Sequence, residues 1–448
     1  MLGRWRTGVK SPLAGARPFR HTYHAMATQV PARLPVPISA PFPRFLVARQ
    51  RFPDEAIGDV AAAVAGELQR VGAQDLFAPG QRIAVTAGSR GIHRIAEVTR
   101  AMVDWLRGRG AQPFVVPAMG SHGGASAQGQ LEVLASYGIT EAAMGCPVHS
   151  SMEAVEVGAT PSGYKVYCDR YAFESDGIVL VNRVKPHTIL VGELGSGLLK
   201  MLAIGLGKQA GADSIHQRGL QENFLLAARL ALGRVPVRLG LALVENSFDH
   251  LARLEAVLPG QIEEADRRLL ELARAYLPTI PFDPLDVLIV LQMGKNISGA
   301  GMDPNVIGMH RRLGGPPTRE IGRIAALDLT PESHGNAIGV GMADLITARL
   351  QGKIDFYATA VNAVTSGFLG GVKLPLALRT DREAIALALK PYDPARVRAV
   401  VVRDTAHLDT LWLSEPLAHE ARQTPNVVVE GGPFELAFDG EGGLSAGP

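Results

Sequence analysis

The chain has 448 residues, 47% hydrophobic and 20% charged, a profile that suits two or three folded domains and excludes a disordered chain. Lys and Arg total 45 against 43 Asp and Glu, a net charge of +2, so there is no electrostatic case for binding nucleic acid. Two cysteines, Cys146 and Cys168, cannot build a disulfide framework or a four-cysteine zinc site. No apolar run is long enough to span a bilayer. These features point to a cytoplasmic protein without a membrane partner.

The first 25 residues contain Arg4, Arg6, Lys10, Arg17, Arg20, His21 and His24 and no acid. They read as a disordered basic leader or as sequence upstream of a true start at Met26, and a transit peptide can look the same. They are set aside from the fold. Pro31, Pro35, Pro37, Pro41 and Pro43 then read as an extended lead-in.

Beyond them, apolar segments rich in β-branched residues alternate with helical stretches. Buried parallel strands are predicted at Arg82–Thr86, Pro113–Pro117, Gly177–Val181, Asp286–Leu291 and Arg398–Val402. Helices are predicted at Ala56–Val71, His93–Arg107, Gln128–Ser136, Gln221–Leu232, Gln261–Leu277 and Ile338–Leu350. The alternation implies an α/β fold of mainly parallel sheets flanked by helices. Pro278, Pro281 and Pro284 mark a boundary, giving an N-terminal domain over 26–278 and a C-terminal α/β domain over 279–448.

The segments after the strands carry the chemistry. They read Ala87-Gly88-Ser89-Arg90-Gly91, Met119-Gly120-Ser121-His122-Gly123-Gly124, Arg183-Val184-Lys185-Pro186-His187 and Gln292-Met293-Gly294-Lys295-Asn296. Ligands of open α/β sheets bind beyond the carboxyl ends of strands. Imidazoles and cations among glycines there suit a small anionic substrate or a phosphorylated cofactor.

The segment from Gly192 to Lys200 is not a P-loop, because Leu198 and Leu199 separate Gly197 from Lys200. No dinucleotide fingerprint follows the first predicted strand, which counts against a nicotinamide-dependent dehydrogenase. His122, His187 and His216 match no zinc spacing, and each taken singly is more often structural. The loop positions of His122 and His187 favour acid/base use. His216 alone would need further metal ligands from protein or cofactor. Lys200 reads either as a surface lysine on an amphipathic helix or as a desolvated amine suited to covalent attachment. No role is assigned to Asp249, His250, His334 or His407, and both cysteines read as small buried residues.

In order, Ser89-Arg90, Gly120-Ser121-His122-Gly123, Pro186-His187, Gly195-Ser196-Gly197 with Lys200, and Ile215-His216 resemble the nickel-pincer lactate racemase family. The resemblance runs from about Arg82 to about Arg311, includes Val157–Gly163, and shares the interval of 16 from Lys200 to His216. It implies a two-domain α/β enzyme with its site in the interdomain cleft. It implies a nickel-pincer nucleotide, with nickel held by the cofactor and His216. Lys200 is implied as the residue that can be joined to the cofactor, with Ser89, Gly195, Ser196 and Gly197 beside it. His122 and His187 match the acid/base pair and Arg90 a substrate-binding arginine. The implied reaction is racemisation or epimerisation of a 2-hydroxy acid by reversible hydride transfer. Separate cofactor-synthesis enzymes are implied as maturation partners.

The chain departs from the family in having Ala87 where an acid is usual, and in a longer interval between His187 and Lys200. The family's Gln-x-x-Lys pair in the second domain aligns with Gly308 and Arg311, while Gln292 and Lys295 have the same spacing earlier in the chain. Lys295 and Arg311 are therefore both candidates for the substrate carboxylate or a phosphate. A 2-hydroxy acid other than lactate, or a sugar acid epimerised at carbon 2, fits these changes. A non-catalytic nickel or nucleotide carrier would keep His216 and Lys200 without needing both His122 and His187.

Overall fold

Alternating apolar residues build two stacked cores from one set of strands. In the computed structural model, which describes residues 40–89, 91–216 and 220–448, the first half forms β1 (Phe45–Gln50), β2 (Arg82–Ala87), β3 (Gln112–Pro117), β4 (Ala154–Ala159), β5 (Lys165–Asp169), β6 (Gly177–Arg183), β7 (Val237–Glu245) and β8 (Leu251–Val257). The second half forms β9 (Leu285–Val290), β10 (Ile321–Ala326), β11 (Leu345–Thr347), β12 (Leu376–Leu378), β13 (Ala399–Val402), β14 (Thr410–Ser414) and β15 (Val427–Phe434). The five-stranded sheet has the order β3-β2-β6-β7-β8. Its first four strands are parallel, and β8 returns antiparallel as a hairpin. Ile178 and Leu180 of β6 face one core, Val179 and Val181 the other. Burial on both faces is why these strands read as continuous apolar runs.

Helices cover both faces. Ile95–Gly108 buries Ile95, Val98, Thr99, Met102, Val103 and Leu106, a stripe at helical spacing. Ile262–Ala275 buries Ile262, Ala265, Leu269, Leu270 and Ala273, and with them the carboxylate of Asp266.

The eight-stranded sheet has the order β12-β11-β10-β9-β13-β14-β1-β15. The run from β12 to β13 is parallel, and β14, β1 and β15 alternate in direction. β1 comes from the start of the described chain yet pairs between β14 and β15. No helix among the described residues is long and apolar enough to cross a membrane.

The helix predicted over Ile338–Leu350 is not there. A short helical turn at Val340–Met342 leads into strand β11, and a helix begins only at Ala348. Gly339 sits at φ +92° with Ala300 O packed where a Cβ would lie, so the chain turns sharply there. The run Leu345-Ile346-Thr347 is then buried between β10 and β12. An apolar segment of this length does not distinguish helix from strand by periodicity alone.

Candidate active site at the switch point of the first sheet

The chain passes from β2 to β3 on one side and returns to β6 on the other. This reversal leaves a crevice at the carboxyl ends of β2 and β6, the place where such sheets bind ligands. Ser89 follows β2, His122 follows β3 and His187 follows β6.

The His122 turn is held from several sides. Ser89 Oγ is hydrogen-bonded to His122 Nδ1, and the Ser89 carbonyl accepts Tyr137 Oη–H at 2.9 Å. Gln130 Nε2 donates to Gly120 O at 2.9 Å and to His122 O at 3.3 Å. Gly123, at φ +68°, packs so closely on the helix Ala127–Ser136 that a Cβ would meet Gln130 N at 2.7 Å. The imidazole itself is exposed.

The His187 loop closes on itself. Lys185 N donates to Ser196 O at 3.0 Å and Ser196 N to Lys185 O at 2.9 Å. His187 Nδ1 accepts the backbone N–H of Ile189 and of Leu190, each at 3.2 Å. A neutral ring in this arrangement carries its proton on Nε2. Lys185 is held below the ordinary lysine range, first by Arg183 and then by burial, while Asp303 beyond β9 acts the other way. The second sheet's loops thus come within electrostatic reach of the His187 loop.

Gly195 and Gly197 answer to packing. A Cβ on Gly195 would lie 2.6 Å from Lys185 O, and one on Gly197 2.6 Å from the Asp266 carboxylate. That carboxylate receives Leu198 N at 3.0 Å and Leu199 N at 2.9 Å, starting the helical turn Leu198–Lys200. A π-helical segment, Met201–Gly205, continues it, a geometry frequent at functional sites. Lys200 is half-buried at this junction. The segment docks on the His122 turn through Gly205 O, which accepts Gly120 N at 3.0 Å.

The helix Lys208–His216 follows. His216 is its last residue, but its side chain lies outside the described residues, as do Arg90 and the leader 1–25. Among the described residues no group of three or more His, Cys, Asp or Glu side chains converges for a metal.

Residues 51–223 match the family model of the lactate racemase N-terminal domain. This segment is similar to that domain. The solved lactate racemase apoprotein from Thermoanaerobacterium thermosaccharolyticum is similar at 15% identity and a TM-score of 0.43, over 63% of this chain and 74% of that one. No curated protein matches the chain. The matched segment contains Ser89, His122, His187, Ser196 and Lys200.

Beyond the matched segment the two candidate cations differ. Lys295 is half-buried, and its Nζ donates to Gly299 O at 2.9 Å and Asn362 Oδ1 at 2.8 Å. Arg311 is committed to the fold: it donates to Met342 O at 2.8 Å and Ile321 O at 2.7 Å, and meets Asp344 at 3.2 Å. Gln292 lines a cavity of about 250 Å³ with Asp328, Arg349, Asp381 and Arg403.

Sequence reasoning missed Gln130, Tyr137, Asp266 and Lys208. Asp266 had a signal, a carboxylate in the apolar stripe of its helix. Lys208 had one too, a lysine one glycine past the apolar run Met201–Leu206. Cys146 and Cys168 are buried, as expected.

Proposed function

We propose that the chain is a racemase or epimerase of a 2-hydroxy acid in which His122 and His187 are the acid/base pair. One observation carries this reading. Two imidazoles stand on loops beyond the strands around one switch point, each with its Nδ1 already engaged, His122 by Ser89 and His187 by backbone N–H groups. These Nδ1 bonds fix the orientation of each ring on its loop, the condition for directed proton transfer to and from a substrate hydroxyl.

His122 acts as base when its Nδ1–H donates to Ser89 Oγ and its Nε2 lone pair takes the hydroxyl proton. Ser89 then holds the imidazolium in place. His187, protonated on Nε2, donates a hydrogen bond to the substrate oxygen and steadies the carbonyl as it forms. For His187 to serve as base in its turn, the proton must sit on Nδ1. The ring must then leave the N–H groups of Ile189 and Leu190. Each is 3.2 Å, at the weak end of the normal range, so breaking them costs little. Arg90 and Lys295 orient the carboxylate. Arg311 is largely buried against two backbone carbonyls, whereas Lys295 is half-buried on the loop after β9, which favours Lys295.

The donor set fits a nickel-pincer nucleotide. Lys200 offers an amine on a half-buried turn, suited to an acyl link. His216, at the end of the next helix, offers an imidazole, a ligand type suited to nickel. Ser89 and Ser196 stand on the adjoining loops, and Gly195 and Gly197 shape the backbone beside them. When bound, the group would take up the α-hydrogen with its electron pair and return it to either face. In this reading the chain divides at 278 and 279, the substrate enters between the two sheets, and separate synthesis enzymes supply the cofactor in the cytoplasm.

The test is metal analysis and intact mass of protein produced with the cofactor-synthesis enzymes. About one nickel per chain is expected, lost in His216→Ala, with a mass increase lost in Lys200→Ala. A panel of 2-hydroxy acids and sugar acids follows. Folded protein with neither nickel nor nucleotide overturns the cofactor assignment.

A further inference from the structure

The segment 51–223 hides an ammonium group with no solvent exposure at all. Lys208 opens the helix that ends at His216, at φ +53°, an uncommon conformation for a residue with a side chain. Its Nζ donates to Pro117 O at 2.6 Å and Gln130 Oε1 at 3.1 Å, and meets Asp169 Oδ2 at 2.9 Å. Two of its N–H donors thus go to neutral oxygens, and the Asp169 carboxylate beside it forms a fully buried ion pair. Burial pulls this lysine below its ordinary range and Asp169 opposes the shift.

Each acceptor belongs to a different element. Pro117 ends β3, the strand that runs into the His122 turn. Asp169 ends β5, and its backbone N–H donates to Leu206 O at 2.6 Å, just past the π-helical segment. Gln130 is the link that matters most. Its Oε1 accepts from Lys208, which fixes the amide so that Nε2 faces the carbonyls of Gly120 and His122. An amide without that anchor could turn over and present oxygen to those carbonyls. The side of Gln130 that meets the catalytic turn is therefore set by the charge beneath it.

We propose that Lys208 is a positioning residue for His122: through Gln130 it fixes the turn that carries the imidazole, and it ties that turn to the helix leading to His216. This rests on the proposed acid/base role of His122 for its catalytic consequence, but not for the structural link itself. A buried ion pair is weak evidence for a contribution to stability. The two directional hydrogen bonds beside it are better explained as a device that specifies one arrangement.

The test uses the full chain, as apoprotein and after loading. The variants are Lys208→Met, which keeps the stem and removes the charge, Asp169→Asn, and Gln130→Leu. The first readout is the imidazole signal of His122 in the NMR spectrum of the apoprotein, with His187 as internal reference. In folded Lys208→Met and Gln130→Leu the His122 signal should move or broaden while that of His187 stays. The second readout is kinetic: kcat lowered tenfold or more with KM within about twofold, and nickel content per chain unchanged. An unmoved His122 signal in either folded variant overturns the proposal. Should Lys208→Met fail to fold, Gln130→Leu decides, since it leaves the Lys208–Asp169 pair intact. If the wild-type chain racemises nothing, the NMR outcome still tests the link, so the two failures are told apart.

Discussion

The carboxylate of Asp266 receives the backbone N–H of Leu199 at 2.9 Å from within the apolar face of its own helix. It receives Leu198 N as well, so one buried side chain satisfies two orphan donors at the start of the turn that carries Lys200. Burial raises this carboxyl from 3.8 to about 6, against the two N–H bonds that favour its charged form.

That balance has a testable sign. The folded state binds the Asp266 proton more tightly than the unfolded state does. The contribution of this group to stability therefore falls as pH rises from 3.8 to about 6. Asp266→Asn should flatten this part of the stability–pH curve, measured by urea unfolding. Asp266→Ala should cost about 2–4 kcal/mol, because it strands two buried donors. Full stability in Asp266→Ala would mean that water or another group caps the turn.

Much of this arrangement was legible in sequence, for a physical reason. Strands buried on both faces must be apolar runs, so β2, β3, β6, β9 and β13 stand out, and the residues after them are the switch-point loops. Ser89, His122 and His187 were found that way. β1 was not, because Phe45–Gln50 contains Arg49 and Gln50 and gains its place only by pairing with strands more than 360 residues on. The supports of the site were also hidden. Gln130 looks like any polar helix residue, and only the fold brings Lys208 beneath it, 78 residues away in sequence. Asp266 lies on a helix from the far side of β7 and β8, where no local pattern ties it to Gly197.

The hydrogen bond between Ser89 and His122 predicts a loss of rate without a loss of fold. Ser89→Ala should lower kcat/KM by roughly tenfold or more, given the size of general-base effects. The thermal midpoint should barely move, since the pair lies at a solvent-reached surface. For mirror-image substrates the equilibrium constant is one, so kcat/KM should fall equally in both directions. Progress curves from each enantiomer measure this. Unchanged kinetics would remove Ser89 from the acid/base machinery.

Asp404 and His407 form a pair whose contribution to stability depends on pH. His407 Nδ1 lies 2.9 and 2.8 Å from the two carboxylate oxygens of buried Asp404. The hydrogen bond to Asp404 raises His407 above 6.5, and the same bond is the leading influence that lowers Asp404 below 3.8 against its burial. Stabilisation by protonated His407 is complete below 6.5 and is lost as pH rises through its folded value. Stabilisation by ionised Asp404 is present above 3.8 and is lost as pH falls through its folded value. Wild type should exceed His407→Gln in stability most clearly near pH 5.5, and the gap should narrow by pH 9. A gap that stays constant across this range would show that the pair acts through packing alone.

Lys295 and Arg311 make opposite predictions. Arg311 donates to two backbone carbonyls and pairs with Asp344 while its side chain is 13% exposed. Removing it strands those carbonyls, so Arg311→Ala should cost about 2–4 kcal/mol. What activity remains in the folded fraction should keep its KM. Lys295 is half-buried on a loop, bonded to Gly299 O and the Asn362 amide. Lys295→Ala should cost no more than about 1–2 kcal/mol. If Lys295 holds the substrate carboxylate in its charged form, however, its loss removes an ion pair from the bound state. KM should then rise by roughly tenfold or more, the range of a charge-assisted hydrogen bond. Lys295→Arg keeps the charge but not the shape, and should recover part of that loss. Steady-state kinetics and urea unfolding of the three variants separate the two residues. A raised KM in Arg311→Ala with full stability would reverse the assignment.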